Sequence, residues 1–290
     1  MEVNVKKCLE KICEKNKILN NVKVINTKFN CNRVFEVNNY IIKLFYGNKK
    51  KFYYNEYYIY NKLKGKEYIS KMIDYGDMFN CKYIVLSKIK AYPIYEKWHQ
   101  LSEEDREEVI KNICKILKDI NNLKNLRGAI KFKRNLTREF YENLEGCQLD
   151  SLIKKGVLKI FYNSINKFNR NETRKLIYAD FHFSNFLIDN KKNIYVIDFE
   201  LLKEGTIDYQ LASITYMCEN PKVEALEEGN IEINDYNTII EYFRKYYIEM
   251  FSKKNCIERI KLYNLIDDLR AVKNKKVSMN IILKYIEGDY

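Results

Sequence analysis

Asp180, Asn185 and Asp198 fall within nineteen positions of one stretch, IYADFHFSNFLIDNKKNIYVIDFE, running from Ile177 to Glu200. Each side chain offers oxygen. Asn190–Asn193 reads as a turn between the short apolar runs FLID and IYVID, and two antiparallel strands there would return Asp198 to the side of Asn185. A carboxylate and an amide oxygen converging in this way suit Mg2+, a hard ion that takes oxygen ligands and keeps several waters. Asp180 lies five positions before Asn185 on a loop-like segment, where it can orient an attacking hydroxyl and accept its proton. Any one of the three alone reads equally well as a turn cap. The three together at this spacing do not.

The flanking sequence must hold that loop in place. Val5, Cys8, Leu9, Ile12 and Cys13 follow helical spacing and predict a leading amphipathic helix. Strand-like runs follow at 22–25, 33–37 and 40–45, the last two joined by Asn38-Asn39 as a hairpin turn. A helix is expected over 50–64, then strands at 71–76 and 82–89. From about residue 100 the pattern turns helical. Ser102 with Asp105 opens a helix whose face is Val109, Ile113, Ile116, Leu117 and Ile120. Further helices are expected over 137–168, 236–251 and 257–272. A β-rich first third followed by a helical remainder is an α+β pattern, dividing into residues 1–90 and 91–290.

The spacing D-x-x-x-x-N followed by a strand-ending aspartate resembles the catalytic loop and metal-binding aspartate of the protein-kinase-like fold. The wording ADFHFSNFLID … VIDFE is closest to the small-molecule branch, the aminoglycoside phosphotransferase and choline kinase family. The resemblance implies a two-lobed α+β fold. Its N-lobe would be an antiparallel β-sheet with one key helix, and its C-lobe mainly helical. It implies Asp180 as catalytic base, Asn185 and Asp198 as Mg2+ ligands, and ATP or GTP as phosphoryl donor. His182 would shape the loop. On the same basis Lys43, in the apolar strand YIIKLF, and Glu56, thirteen positions on, would pair so that Lys43 reaches the α- and β-phosphates. Backbone groups near Ser87 and Ile89 would hold the adenine, and Asp208 would cap a helix and brace the loop. The chain departs from the family pattern at Tyr178 and Ala179, where relatives carry His and Gly. The presumptive phosphate loop, NTKFNCNRVFEV (26–37), contains no glycine, although Asn30 or Asn32 can adopt left-handed geometry there.

Bulk composition narrows the remaining choices. The net charge is +13, but residues 1–95 hold 19 Lys and Arg against 8 Asp and Glu, whereas 198–241 holds 2 against 11. That acidic stretch includes Glu200, Glu204, Glu219, Glu224, Glu227 and Glu228, with several tyrosines nearby. It reads either as a solvated face or as an attraction for a cationic acceptor, whether aminoglycoside or choline-like amino alcohol. The basic first third raises nucleic-acid binding as an alternative, but there is no nucleic-acid motif or stacking platform to support it. A kinase-like nucleotide-binding scaffold without turnover is the other alternative. Eight cysteines without a CxxC pair, two histidines, no signal-peptide pattern and no long apolar run point to a reducing compartment, the cytoplasm.

Overall fold

The computed structural model describes residues 5–18, 22–25, 33–123, 135–168, 172–219 and 236–287. Along the chain the elements are α1 (Val5–Lys15), β1 (Val22–Ile25), β2 (Arg33–Val37), β3 (Tyr40–Phe45), α2 (Lys50–Lys62), β4 (Met72–Met78), β5 (Cys81–Ser87), β6 (Tyr92–Pro93) and α3 (Ile94–Lys97). Next come α4 (Glu103–Asn121), α5 (Leu136–Glu145), α6 (Ser151–Ile165), β7 (Lys175–Ile177), β8 (Phe186–Ile188), β9 (Ile194–Val196), β10 (Lys203–Gly205) and α7 (Tyr209–Glu219). The chain closes with α8 (Ile239–Tyr246), α9 (Cys256–Lys273) and α10 (Asn280–Glu287). Two compact units result. The first comprises residues 1–100, 123–131 and 183–202, and the second 101–122, 132–182 and 203–290.

In the first unit five antiparallel strands run in the order β1-β2-β3-β5-β4. Asn38 turns the β2–β3 hairpin at φ 55°, a left-handed conformation that asparagine tolerates. Strand alternation then decides what β3 presents to each side. Ile42 and Leu44 join Cys8, Leu9, Ile12, Cys13, Phe35, Val37, Tyr83 and Val85 in a core that includes α1. Lys43 and Phe45 therefore face the other way, and Phe45 meets Tyr53 of α2 edge-on with ring centroids 5.8 Å apart. The buried stripe of α2 runs Phe52, Glu56, Ile59 and Tyr60, with Leu63 buried just past its end, so a carboxylate sits in the middle of an otherwise apolar helical face. A second small sheet, β6-β8-β9, carries the hairpin expected at FLID and IYVID, with Phe186 opposite Val196 and Ile188 opposite Ile194.

The second unit is mainly helical. α5, α6, α9 and α10 share a core of Phe140, Leu144, Val157, Phe161, Leu262, Leu265, Ile266, Leu269, Ile282 and Tyr285. Ser102 caps its helix as its sequence predicts, accepting from the Asp105 amide, and the structure adds two further caps, Asn135 accepting from Arg138 and Asp150 from Leu152 and Ile153. The expected helix over 236–251 is interrupted. α8 ends at Tyr246, Tyr247 leaves the helical conformation at φ −144° and ψ 58°, and a 3-10 turn follows over Ile248–Phe251. The break carries the Tyr247 hydroxyl to Asn121 Oδ1 at 2.7 Å. The sequence reading did not anticipate β6, β7 or β10, which are two or three residues long, too short to show a period.

Candidate active site

Lys43 stands in mid-strand, paired across β2 to Val34 and across β5 to Ile84, and its side chain is almost wholly buried. Its Nζ donates to Glu56 Oε1 at 2.6 Å and lies 3.6 Å from Asp198 Oδ1. Glu56 is completely buried, and its Oε1 also accepts from the Phe199 amide at 3.0 Å. Its Oε2 has no hydrogen-bond partner among the described residues. The neighbouring Asn55 donates through Nδ2 to the Glu200 carbonyl at 2.6 Å and to the Leu202 carbonyl at 3.3 Å. One turn of α2 therefore ties the segment after β9 through both a carboxylate and an amide. Tyr60, a turn further on, packs edge-on against Phe199 with centroids 5.3 Å apart.

The β8–β9 hairpin sets the other side of the site. Asn185 directly precedes β8, and its carbonyl accepts from the Ile197 amide at 2.9 Å. The register thus brings Asn185 opposite Ile197, next to Asp198. Asp198 itself has φ 59°. A left-handed conformation at a non-glycine residue is uncommon, is best tolerated by Asn and Asp, and is found where a side chain must be aimed.

Glu56, Asp198 and Glu200 each offer a carboxylate oxygen, and the three oxygens lie within 4.8 Å of one another. Burial alone would lower the Lys43 pKa, but Asp198 and Glu56 outweigh it and hold the ammonium well above its ordinary value. Burial pushes the Glu56 carboxyl up, Lys43 pulls it down, Asp198 pushes it up again, and the net shift is upward. The carboxylates raise both groups, but burial is the larger cause of the Glu56 shift. An all-oxygen donor set that includes Glu56 Oε2, a buried carboxylate oxygen with no hydrogen-bond partner among the described residues, fits a hard divalent cation such as Mg2+.

Composition groups Glu200 with the acidic stretch that reads as a solvated face or as an attraction for a cationic acceptor, yet it is buried and gathered with Glu56 and Asp198. Its position two residues after Asp198, across a turn in which the Glu200 amide reaches back to Asp198 Oδ1 at 3.4 Å, is the signal in the sequence. Ser87 ends β5, where its amide donates to the Lys71 carbonyl and its Oγ accepts from the Lys71 amide, each at 2.9 Å. Ile89 follows just beyond the strand. Most of the presumptive phosphate loop, residues 26–32, lies outside the described residues, as do Glu224, Glu227 and Glu228.

In the second unit, Asp180 follows β7 on a short loop with its side chain 36% exposed, and His182 Nε2 lies 3.8 Å from Asp180 Oδ2. The preceding residues are tightly held. Tyr178 is buried, its amide donates to Gln210 Oε1 at 3.0 Å, and the Ala179 carbonyl accepts from Ser213 Oγ at 3.1 Å. Asp208 is fully buried, and its carboxylate is held by Arg259 and the Tyr263 hydroxyl. Arg259 donates to it through Nε at 2.6 Å and Nη2 at 3.1 Å, and grips Glu172 bidentately at 2.6 and 2.8 Å.

An α+β chain with this lysine–glutamate pair and a hairpin-borne asparagine and aspartate has the protein-kinase-like fold. Its sequence matches the phosphotransferase enzyme family over residues 32–236, and the chain belongs to that family. Among solved structures it is similar to the ADP-bound aminoglycoside phosphotransferase APH(2'')-Ib, with TM-score 0.68 and 17% identity over 98% of this chain and 96% of that one. It is also similar to the choline kinase LicA from Streptococcus pneumoniae, with TM-score 0.64 and 17% identity over 98% and 99% of the two chains. A third similar structure is the amicoumacin kinase hAmiN in complex with AMP-PNP, Ca2+ and Ami, with TM-score 0.65 and 12% identity over 98% and 92%. A search of curated protein sequences finds no match. No helix among the described residues is long and apolar enough to cross a membrane.

Proposed function

We propose that this chain transfers the γ-phosphoryl group of ATP, or of GTP, to a hydroxyl of a small cationic molecule, either aminoglycoside-like or an amino alcohol such as choline. The observation that carries this reading is the buried Lys43–Glu56 pair beside Asp198, with Glu56, Asp198 and Glu200 converging on one point. Asn185 and Asp198 would hold Mg2+, with Glu200 at hand as a further oxygen donor. When bound, Mg2+ neutralises charge on the triphosphate oxygens. Lys43, kept protonated and aimed by Glu56, binds the α- and β-phosphate oxygens. Backbone groups at Ser87 and Ile89 take the adenine edge. Asp180 orients the acceptor hydroxyl and takes its proton as the oxygen attacks phosphorus, while the nucleoside diphosphate leaves.

The acceptor class rests on the acidic composition of 198–241 and on relatives whose solved complexes contain streptomycin or gentamicin, or which are choline kinases. Glu204, Glu219 and Glu241 are the described acidic residues of the stretch left to that role once Glu200 joins Asp198 and Asp208 pairs with Arg259.

Thermal denaturation with ATP and GTP, each with and without Mg2+, tests the donor half. A ligand at a hundredfold excess over its Kd stabilises the native state by about 2.7 kcal/mol, so binding is readily seen. A Mg2+-dependent shift that Asp198→Ala abolishes and Asp180→Ala spares is the expected result. Acceptor panels then identify the substrate by turnover, which Asp180→Ala should remove. Cooperative melting with no shift from either nucleotide would overturn the proposal.

A further inference from the structure

Asp180 leaves β7 on a loop whose backbone no longer has a strand partner, and backbone groups in a buried setting must find partners elsewhere. α7 supplies them. The amide of Tyr178 and the carbonyl of Ala179, on the two residues before Asp180, are bound by Gln210 Oε1 and Ser213 Oγ. Gln210 and Ser213 are three positions apart on α7, hence on one helical face. Gln210 is completely buried and is fixed in turn. Asn121 Nδ2 donates to its Oε1 at 2.9 Å and to the Leu176 carbonyl at 2.5 Å, while Gln210 Nε2 donates to Asn121 Oδ1 at 3.3 Å. The Tyr247 hydroxyl closes the set by donating to Asn121 Oδ1. A fully satisfied buried polar network of this kind orients its members more narrowly than apolar packing does.

We propose that Ser213 and Gln210 are positioning residues for Asp180: they fix the peptide groups at 178 and 179 and so set the direction of the Asp180 carboxylate. The proposal rests on Asp180 being the base.

Two variants of the half-buried Ser213 test it in the full chain, Ser213→Ala and Ser213→Thr, the latter retaining the hydroxyl. Amide exchange across residues 176–184 is measured beside global stability in urea, and kcat and KM for nucleotide are measured with an acceptor that supports turnover. Ser213→Ala should speed exchange in that segment alone and lower kcat about tenfold or more with KM for nucleotide unchanged, because small misplacements of a reacting group are costly. Ser213→Thr should restore both. Unchanged exchange in Ser213→Ala overturns the clamp whatever the turnover. Faster exchange with unchanged kcat also overturns it, reducing the contact to a structural one. If the wild-type chain turns over no acceptor while Ser213→Ala still loosens the segment, the base assignment falls and the clamp stands.

Discussion

The Phe199 amide donates to Glu56 Oε1 at 3.0 Å, so the residue after Asp198 is held by the same carboxylate oxygen that receives Lys43. One buried glutamate thus sets the strand lysine and the turn that presents Asp198. Removing Lys43 leaves the buried Glu56 carboxylate without the ammonium that pairs with it. Lys43→Met should therefore destabilise the chain by about 3–5 kcal/mol, as breaking buried pairs does. Lys43→Met combined with Glu56→Leu should recover part of that loss, because the uncompensated charge goes with the partner. Urea unfolding of the two single variants and the double variant measures the coupling. A double variant as unstable as the sum of the singles would show that the pair is not a unit.

Glu200 gives the cation its own test. With three carboxylate oxygens within 4.8 Å, Glu200→Gln removes repulsion in the absence of a divalent ion, and the apo melting temperature should hold or rise. The gain in melting temperature on adding Mg2+ with nucleotide should shrink relative to wild type, and chelation should bring both proteins to their nucleotide-free behaviour. An equal Mg2+-dependent gain in both would remove Glu200 from the site.

How much of this was legible in the sequence depended on the range of the interaction. The hairpin turn at Asn38, the Ser102 cap and the strands around FLID and IYVID are local, and periodicity and turn chemistry expose them. Lys43 and Glu56 could be singled out only by resemblance, since their contact joins a strand to a helix and no periodicity couples them. Glu200 was misread because its charge fits an exposed acidic run as well as a buried cluster, and only burial separates the two. Gln210, Asn121 and Tyr247 come together across 89 and 126 positions of chain, and nothing local marks any of them. Arg259 likewise looks like an ordinary helical arginine until its partners are known.

Those partners make Arg259 a buried charge that joins two carboxylates of the second unit. It is 1% exposed, donates to Asp208 and Glu172, and stacks over the Phe168 ring at 4.1 Å. Burial alone would lower its pKa, but the two carboxylates outweigh this and hold it above even its ordinary value. Arg259→Met should cost about 3–5 kcal/mol by stranding Asp208. Arg259→Lys should rescue little, since an ammonium cannot reproduce the planar fork that spans both carboxylates. Denaturant midpoints for the two variants decide it. A lysine variant close to wild type would mean that charge alone suffices.

The attachment of α1 to the first unit should depend on pH through Asp74. Its carboxylate accepts from Lys15 at 3.0 Å, from Asn16 at 3.0 Å and from the Tyr83 hydroxyl at 2.9 Å. Partial burial would raise its pKa, but these hydrogen bonds prevail and hold it below the ordinary carboxylate value. A carboxyl depressed in the folded state binds its proton more readily when unfolded, so it stabilises the fold at neutral pH. That contribution is lost as the pH falls through the ordinary carboxylate range toward the lowered folded value. Asp74→Asn should therefore be less stable than wild type by about 1–2 kcal/mol at neutral pH, the worth of hydrogen bonds to a charged acceptor. The gap should close as the pH is lowered, because wild-type Asp74 is then also neutral. Urea unfolding of both proteins across an acid titration gives the difference directly. A gap that stays constant with pH would assign the loss to packing of α1 and not to the Asp74 charge.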